Sequence, residues 1–466
     1  MTKKLLFSIV LLMSFSLLKA QDLPETKWID QADTDWFDEA LEEFNITDEA
    51  SLAGLSVLVA EGNSFEGKVI HIQNNLNLEE HLWEPIGPDI DYSFKGKVEG
   101  HENTISNIYV EKLESDFAGL FGSVLSAEFK NINIDYAEIY GKSTVGVLVA
   151  NLSTDSYMEN CHITNGFVEC DDDPMYGGIA GGLVGGLLTN STIKRSSFSG
   201  EVRGGNQIGG LVGTTWDTTL IEESFSEGLV SGDNVVGGLV GYTTMNFPPQ
   251  ENTTNVVRNS YSRADVVASG MMAGGLFAHP ETNGLIENCY STGSVVGGAD
   301  SGASIGAIQG ETEVFNTYFD EETSEISEGI GSQGTNLTVE ITGKTTEELK
   351  STEMVDLLNA DQGEIWVIDP EINDGYPSFN EGNLSVNTPI KENLITLYPT
   401  QASTAINFIA EGDFSFVIYD MNGREIDSGK IQKEEKKYSI SSLNSGMYLV
   451  VFENENQKTT KRFIKK

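Results

Sequence analysis

Apolar residues in this chain come in short runs, not in helical stripes. From about residue 105 to residue 320, brief runs rich in Val, Ile, Leu and Phe alternate with glycine or polar pairs, a pattern that predicts strands separated by tight turns. One glycine-leucine element recurs. It reads Ala118-Gly119-Leu120-Phe121-Gly122, then Gly146-Val147-Leu148-Val149-Ala150, Gly181-Gly182-Leu183-Val184-Gly185, Gly209-Gly210-Leu211-Val212-Gly213 and Gly237-Gly238-Leu239-Val240-Gly241. Weaker copies are Gly274-Gly275-Leu276-Phe277-Ala278 and Gly306-Ala307-Ile308-Gln309-Gly310, giving spacings of 28, 35, 28, 28, 37 and 32. A second element sits inside the period: Ile221-Glu222-Glu223-Ser224-Phe225-Ser226, Val257-Arg258-Asn259-Ser260-Tyr261-Ser262 and Ile286-Glu287-Asn288-Cys289-Tyr290-Ser291, with Met158-Glu159-Asn160-Cys161-His162 as a looser copy. A third is a short valine-rich run such as Leu229-Val230 or Val295-Val296.

Each period therefore predicts about three short strands. A unit this small cannot bury its apolar face alone, so successive units must stack. Three strands per turn, stacked in parallel, make a β-helix. Propeller blades need four strands and roughly 40 residues, more than this period holds. Cys161 and Cys289 occupy the same slot four turns apart, about 19 Å at roughly 4.8 Å per turn, and a disulfide needs Cα atoms within about 7 Å. Ser224 and Ser260 hold the same slot, which points to a small buried residue. A Cys161–Cys170 pair stays open, since both fall in one turn. Ile286 and Cys289 are an odd number apart, so strict alternation cannot turn both inward; a bend between them would.

The chain begins with Lys3 and Lys4, an apolar run from Leu5 to Leu18, and Lys19-Ala20-Gln21, the layout of a cleaved secretory signal. That run is too short for a comfortable membrane span. Thr47 to Gly62 predicts a helix with Thr47 as cap, Asp48 and Glu49 in its first turn, and Leu52, Leu55 and Leu58 on one face. Trp36, Phe37, Ala40, Leu41 and Phe44 read as the apolar face of another helix in an N-terminal cap. Net charge is −43, and losing residues 1–20 removes three lysines and no acid. A field of that sign repels nucleic acid and anionic membranes. Three cysteines are not a disulfide framework.

The Gly-Gly-Leu-Val-Gly and Asn-Cys-Tyr-Ser elements together resemble the GLUG-motif repeat of bacterial surface proteins. Phe65-Glu66-Gly67-Lys68, Trp83-Glu84-Pro85-Ile86-Gly87, Phe94-Lys95-Gly96 and Gly100-His101-Glu102-Asn103-Thr104-Ile105 are similar to that family's lead-in. Asn316 to Ser324 resembles its last turn, and Thr345 to Leu349, Trp366 to Asp369 and Asn373 to Pro377 its closing segment. The resemblance spans roughly residues 47–380 and implies architecture and a surface setting more than an activity. After a polar stretch the chain becomes locally basic. Leu397-Tyr398-Pro399, Phe416 to Arg424, Leu443 to Val450 and the tail Lys458 to Lys466 resemble the C-terminal sorting domain of type IX secretion, although Thr400-Gln401 stands where that family usually carries Asn-Pro. Alternating strands with Asn422-Gly423 as a hairpin turn predict a small β-sandwich there. The resemblance implies passage across the outer membrane of a Bacteroidota-type bacterium and removal of this domain.

Candidate chemistry is sparse. None of His71, His81, His101, His162 and His279 forms His-Glu-x-x-His, so zinc peptidase chemistry is unsupported. A glycan hydrolase would need two facing carboxylates, and a lyase a base near an acid-bound cation. Asp171-Asp172-Asp173 is the densest acid cluster, and Arg195, Arg203, Arg258 and Arg263 are the scarce bases; solvated loops and faces are the simpler account of both. No calcium loop or phosphate loop is present. The sequence assigns no catalytic, cofactor-binding or metal-ligating residue and no cofactor.

The expectation is a mainly β chain: a right-handed parallel β-helix with a helical N-terminal cap and a small C-terminal β-sandwich. Its parts are a signal peptide (1–20), capping helices (21–62), the GLUG-type β-helix (63–344), a closing cap (345–381), a linker (382–392) and the sorting domain (393–466). The expected role is adhesin-like binding or structure at the cell surface, without catalysis. Expected partners are the outer-membrane secretion and sorting machinery and surface glycans or host or prey cell surfaces, with no nucleic acid. The alternative is a carbohydrate-active β-helix enzyme, a polysaccharide lyase or hydrolase, which predicts acids and aromatics clustered on one concave face.

Overall fold

The structure, a computed structural model, describes residues 24–465 except 172–177, 245–253, 282, 335–337, 361–362, 381–394, 399–400, 403, 411–413, 421–423, 432–434, 445 and 454–457. The expected signal peptide and linker lie outside the described residues. The chain divides into two compact units, Met1–Leu384 and Ser385–Lys466.

The first unit is mainly β, and the strands of its three large sheets pair in parallel. The period beginning at Gln207 shows the plan. Gln207–Gly209 belongs to a first sheet, Val212–Trp216 to a second, and Leu220–Glu222 with Phe225–Gly232 to a third. Each strand pairs with its counterpart one period later: Gly209 with Gly237, Val212 with Val240, Ile221 with Val257. The two long periods gain most of their extra residues between Glu169 and Ile179 and between Thr244 and Asn255. The final glycine-leucine copy needs correcting. Gly274 bridges Gly302 and Phe277 pairs with Ile305, so the copy is Gly302 to Gly306, not Gly306 to Gly310. Inward-facing Ile305 and the tight corner at Gly302 decide that register, which a weak leucine match could not.

The second motif can now be read letter by letter in its copy from Ile286 to Ser291. Ile286 and Cys289 both face the core, at 2% and 0% exposure, because Asn288 between them is left-handed, with φ 54°. This is the bend that alternation required. Asn131, Asn160, Arg195, Glu223, Asn259 and Asn316 take the same conformation in their own periods; asparagine tolerates it best among residues with a Cβ. The inward slot that follows forms a ladder across the turns. Cys161 N donates to Ser196 Oγ (3.2 Å), Ser196 N to Ser224 Oγ (3.1 Å) and Ser224 N to Ser260 Oγ (3.2 Å). Cys161, Cys170 and Cys289 are all free thiols, so the Cys161–Cys170 pair does not form. Burial pushes each thiol up to about 12. They behave as small core residues, not nucleophiles.

Glu287 faces out, in a column of alternating sign: Glu99, Lys130, Glu159, Lys194, Glu222, Arg258, Glu287. Lys194 Nζ lies 2.7 Å and Arg258 Nε 2.6 Å from the Glu222 carboxylate. Burial opposes ionisation of Glu222, but these two cations outweigh it and hold the carboxyl below its ordinary range. Opposite charges stacked about 4.8 Å apart favour this register over one slipped by a turn. The final serine faces in and meets the second residue of the next corner: Ser226 Oγ donates to Gly238 O at 2.6 Å and Ser291 Oγ to Ala303 O at 3.1 Å. That contact links the two repeated elements.

Tyr290 belongs to an outer ladder, Phe225, Tyr261, Tyr290 and Tyr318. Neighbouring rings stack at 4.8 Å (Phe225–Tyr261) and 4.9 Å (Tyr261–Tyr290), each 2° from parallel. The segment expected to close the stack packs along this flank. It comprises the short helices Thr346–Leu349 and Thr352–Leu358 and the hairpin pair Trp366–Val367 and Ser378–Phe379. A Thr345–Glu348 capping box starts the first helix. Trp366, Leu349, Met354, Leu358 and Tyr376 form one buried cluster with Tyr261, Tyr290 and Tyr318. Tyr290 Oη donates to Pro377 O (2.5 Å) and accepts from Asn373 Nδ2 (2.8 Å). Tyr290→Phe removes one bond from each partner, while Asn373 Nδ2 still donates to Pro377 O (2.8 Å). We expect a loss of about 1 kcal/mol, read as a lower urea midpoint at unchanged m-value.

The N-terminal end differs from its expectation in two places. Trp36 to Leu41 is not helical, and Phe44 lies in the strand Glu43–Ile46, paired with Val69–Ile72. Asp33 and Asp38 accept from the backbone of Asp35 and Ala40 and hold turns there, so local carboxylates win over the apolar periodicity. Trp36, Phe37, Phe44 and Phe65 instead form an aromatic cluster with centroids 5.3–6.2 Å apart. The one α-helix among the described residues before the stack is Glu49–Ala60. Its cap is Asp48, whose carboxylate accepts from Ser51 N at 2.8 Å, and not Thr47.

The second unit holds two small sheets. One has Ile395–Tyr398, Ala405–Ala410 and Glu435–Ser439; the other has Gln401–Ala402, Lys458–Lys465, Gly446–Glu453, Phe414–Asp420 and Glu425–Ile431. Phe408 from the first packs on Phe416 and Phe452 from the second, with centroids 5.1 and 5.2 Å apart. The expected Asn422-Gly423 turn lies outside the described residues, but its flanking strands pair antiparallel. No helix among the described residues is long and apolar enough to cross a membrane.

Candidate functional site

The acids and bases singled out from sequence do not converge. Asp171 lines a groove of about 780 Å³ with Arg203, Glu169, Tyr140, Asp233 and Val296; Asp172 and Asp173 lie outside the described residues. All four arginines are held by carboxylates: Arg195 by Glu159, Arg203 by Glu201 (2.5 Å), Arg258 by Glu222 (2.6 Å) and Arg263 by Glu227 (3.2 Å) and Asp374. They brace the surface of the stack. Among the described residues no group of three or more His, Cys, Asp or Glu is placed to hold a metal ion.

A different group does converge, on the outer face of the second sheet. Residues two apart on a strand share a face, and register aligns them across turns. Thr214, Tyr242 and His279 are in register on Val212–Trp216, Val240–Thr244 and Phe277–Pro280. Trp216 and Thr244 form the next column, and Glu281 follows Pro280 beside them. The result is a small grid, about 4.8 Å between turns and about 6.6 Å along the strand. Its floor rests on Val235, Met272, Ala278 and Ala307, an apolar cluster separate from the main core, with Tyr242 packed on it.

The chemistry of this grid is unusual for the chain. Trp216 is 43% exposed. Tyr242 Oη donates to the Glu281 carboxylate; burial first, and then that carboxylate, raise the phenol well above its ordinary pKa. The His279 ring stands edge-on to Tyr242, centroids 5.3 Å apart. Burial lowers its pKa more than Glu281 and Asp300 raise it, so the imidazole is neutral. His279 Nε2 and Thr214 Oγ1 are buried and have no hydrogen-bond partner among the described residues. The grid can offer aromatic faces, a carboxylate, a neutral imidazole and a hydroxyl to one ligand. Sequence reasoning passed over it because His279 was tested only against a zinc motif. The available signal was the position just after each glycine-leucine element, where Thr214, Tyr242 and His279 stand in successive copies.

His162, half-buried, is a contrast because both its ring nitrogens have partners. Its ring nitrogens lie 2.9 Å from Ser197 Oγ and 2.9 Å from Asn160 Oδ1, and burial pushes its pKa down to about 4. An unfolded histidine titrates near 6.5, so on acidification the unfolded chain takes up the proton first. This contribution is therefore complete above about pH 6.5 and is lost as pH falls toward 4. Between about pH 7 and 4.5 the wild type is expected to lose about 2 kcal/mol more stability than His162→Gln, measured by urea unfolding at each pH.

Residues 396–466 match the family described as the secretion system C-terminal sorting domain. This type IX module marks the chain for secretion and attachment at the cell surface or outer membrane, and it implies engagement with the type IX machinery. No curated protein and no solved structure matches the chain.

Proposed function

We propose that the exported chain is an adhesin-like surface protein whose stack is a right-handed parallel β-helix of GLUG-type repeats, binding glycans or cell surfaces without catalysis. The observation that carries the reading is the conversion of the repeat into continuous outer columns, one residue per turn, on a chain addressed to the cell surface. Each period adds one strand to the first sheet, one to the second and one or two to the third, which supports the β-helix, as does the pairing of the two motifs through Ser226 and Gly238. Ion-paired arginines and scattered acids weigh against a lyase centre. The division into signal, cap, stack, closing segment, linker and sorting domain belongs to the same proposal. Binding of the mature chain to glycan arrays and to intact cells tests it. Retention on at least one surface, with no release of sugar products, is the expected result; polymer cleavage without retention would overturn it.

The second reading, a carbohydrate-active enzyme, has one observation in its favour: Tyr242, Glu281 and His279 gather beside an exposed tryptophan. Its signature would be soluble oligosaccharides released from a polysaccharide and lost in His279→Ala.

A further inference from the structure

We propose that the grid of Thr214, Trp216, Tyr242 and His279 is a binding site for a neutral polyhydroxylated ligand, a saccharide unit of an extended glycan. The inference rests on the glycan-binding reading above and gives it a location.

Buried polar atoms in native proteins are almost always hydrogen-bonded, and an orphan signals a missing partner. Here two orphans, Thr214 Oγ1 and His279 Nε2, stand in one column, two turns and about 10 Å apart. His279 is only 7% and Thr214 only 5% exposed, so both side chains are more than nine-tenths buried. A neutral imidazole nitrogen and a hydroxyl can each donate or accept, which suits ligand hydroxyls better than a fixed charge does. Tyr242 lies between them in register, and Trp216 presents its indole on the same face. Aromatic rings beside hydroxyl-matching polar groups combine apolar contact with directional bonds. The charge of the chain, −43, repels polyanions and selects a neutral glycan over an acidic one. Grid spacing suits a ligand lying along the stack and meeting one column residue per turn.

The test uses the full mature chain and isothermal titration with neutral hexasaccharides cut from β-glucan, mannan and xylan. One of them is expected to bind, with little change in Kd between low and moderate salt. His279→Ala and Trp216→Ala are each expected to weaken it at least tenfold, and Thr214→Val several-fold. Arg203→Ala, in a separate groove, should leave Kd unchanged. Thr214→Val removes an unpaired hydroxyl, so its unfolding midpoint should hold or rise while its binding falls, which separates a ligand contact from a structural one. If the wild type binds a hexasaccharide and all three grid variants bind it equally, the site is wrong and the broader reading stands. Steep salt dependence would overturn the neutral class. If the wild type binds none of the panel but is retained on intact cells, the saccharide assignment is wrong; if it binds neither, the glycan-binding reading fails with it.

Discussion

Without residues 396–466 the chain is expected to cross the inner membrane and stop in the periplasm. The match to the sorting domain covers that segment, and its physical independence makes the deletion informative. The second unit has a core of its own, built from Ile406, Phe408, Phe414, Phe416, Ile418, Ile431, Ile440, Tyr448, Val450 and Phe452. The core of the stack draws on none of these residues. Deletion should therefore leave the stack folded and remove its address. Protease shaving of whole cells, with fractionation, reads the result: surface-accessible full-length chain, and a truncated chain protected until the outer membrane is opened. Undiminished surface exposure of the truncated chain would overturn the assignment. The reciprocal fusion, residues 385–466 on a periplasmic reporter, should carry the reporter outward.

The second large effect is expected at the glycine corners. A Cβ at Gly209 would lie 1.9 Å from Val212 O and 2.7 Å from Gly241 N; at Gly237 it would lie 1.9 Å from Val240 O. Both obstacles are backbone, one from the same turn and one from the next, so no rotamer can yield. Gly209→Ala must open the corner between the first and second sheets, and that shift passes to the turns stacked on either side. We expect a loss of more than about 3 kcal/mol, with reduced yield of folded protein. Gly363→Ala is the control. Its φ is +87° and nothing lies within 4 Å of the added methyl, so only the backbone term of about 1–2 kcal/mol applies. Equal stability of Gly209→Ala and wild type in denaturant would show that the corner is looser than this geometry.

The two motifs were legible because a repeat reports its own geometry. Each stacked turn faces the same steric problem, so the same residue types recur at the corner and in the slot. Glycine at 181, 209, 237 and 274 marks a corner with no room for a side chain. Cys161, Ser224, Ser260 and Cys289 mark a slot that takes only a small group. The bend between Ile286 and Cys289 was legible as a contradiction in alternation, and the left-handed Asn288 resolved it. Less was readable where the pattern is not repeated. The run from Trp36 to Phe44 has helical spacing, yet the carboxylates of Asp33 and Asp38 turn it and strand pairing takes Phe44. The last glycine-leucine copy was misplaced by four residues because Ser304 occupies the leucine position and hides the match.

Sequence by itself determined the parallel-strand class, the period, the chemistry of each corner and the sorting module, because these depend on local sterics and on motifs carried whole. Tertiary structure alone decided which faces meet. It laid the closing segment along the Tyr261–Tyr290–Tyr318 ladder, paired Arg195, Arg258 and Arg263 with carboxylates a turn or more away, and set Thr214, Tyr242 and His279 side by side from three different periods. Those neighbours lie 28 and 37 residues apart in the chain but about 4.8 Å apart across the turns. Stacking converts a long separation along the chain into a short one in space, and no local pattern records which residues it brings together.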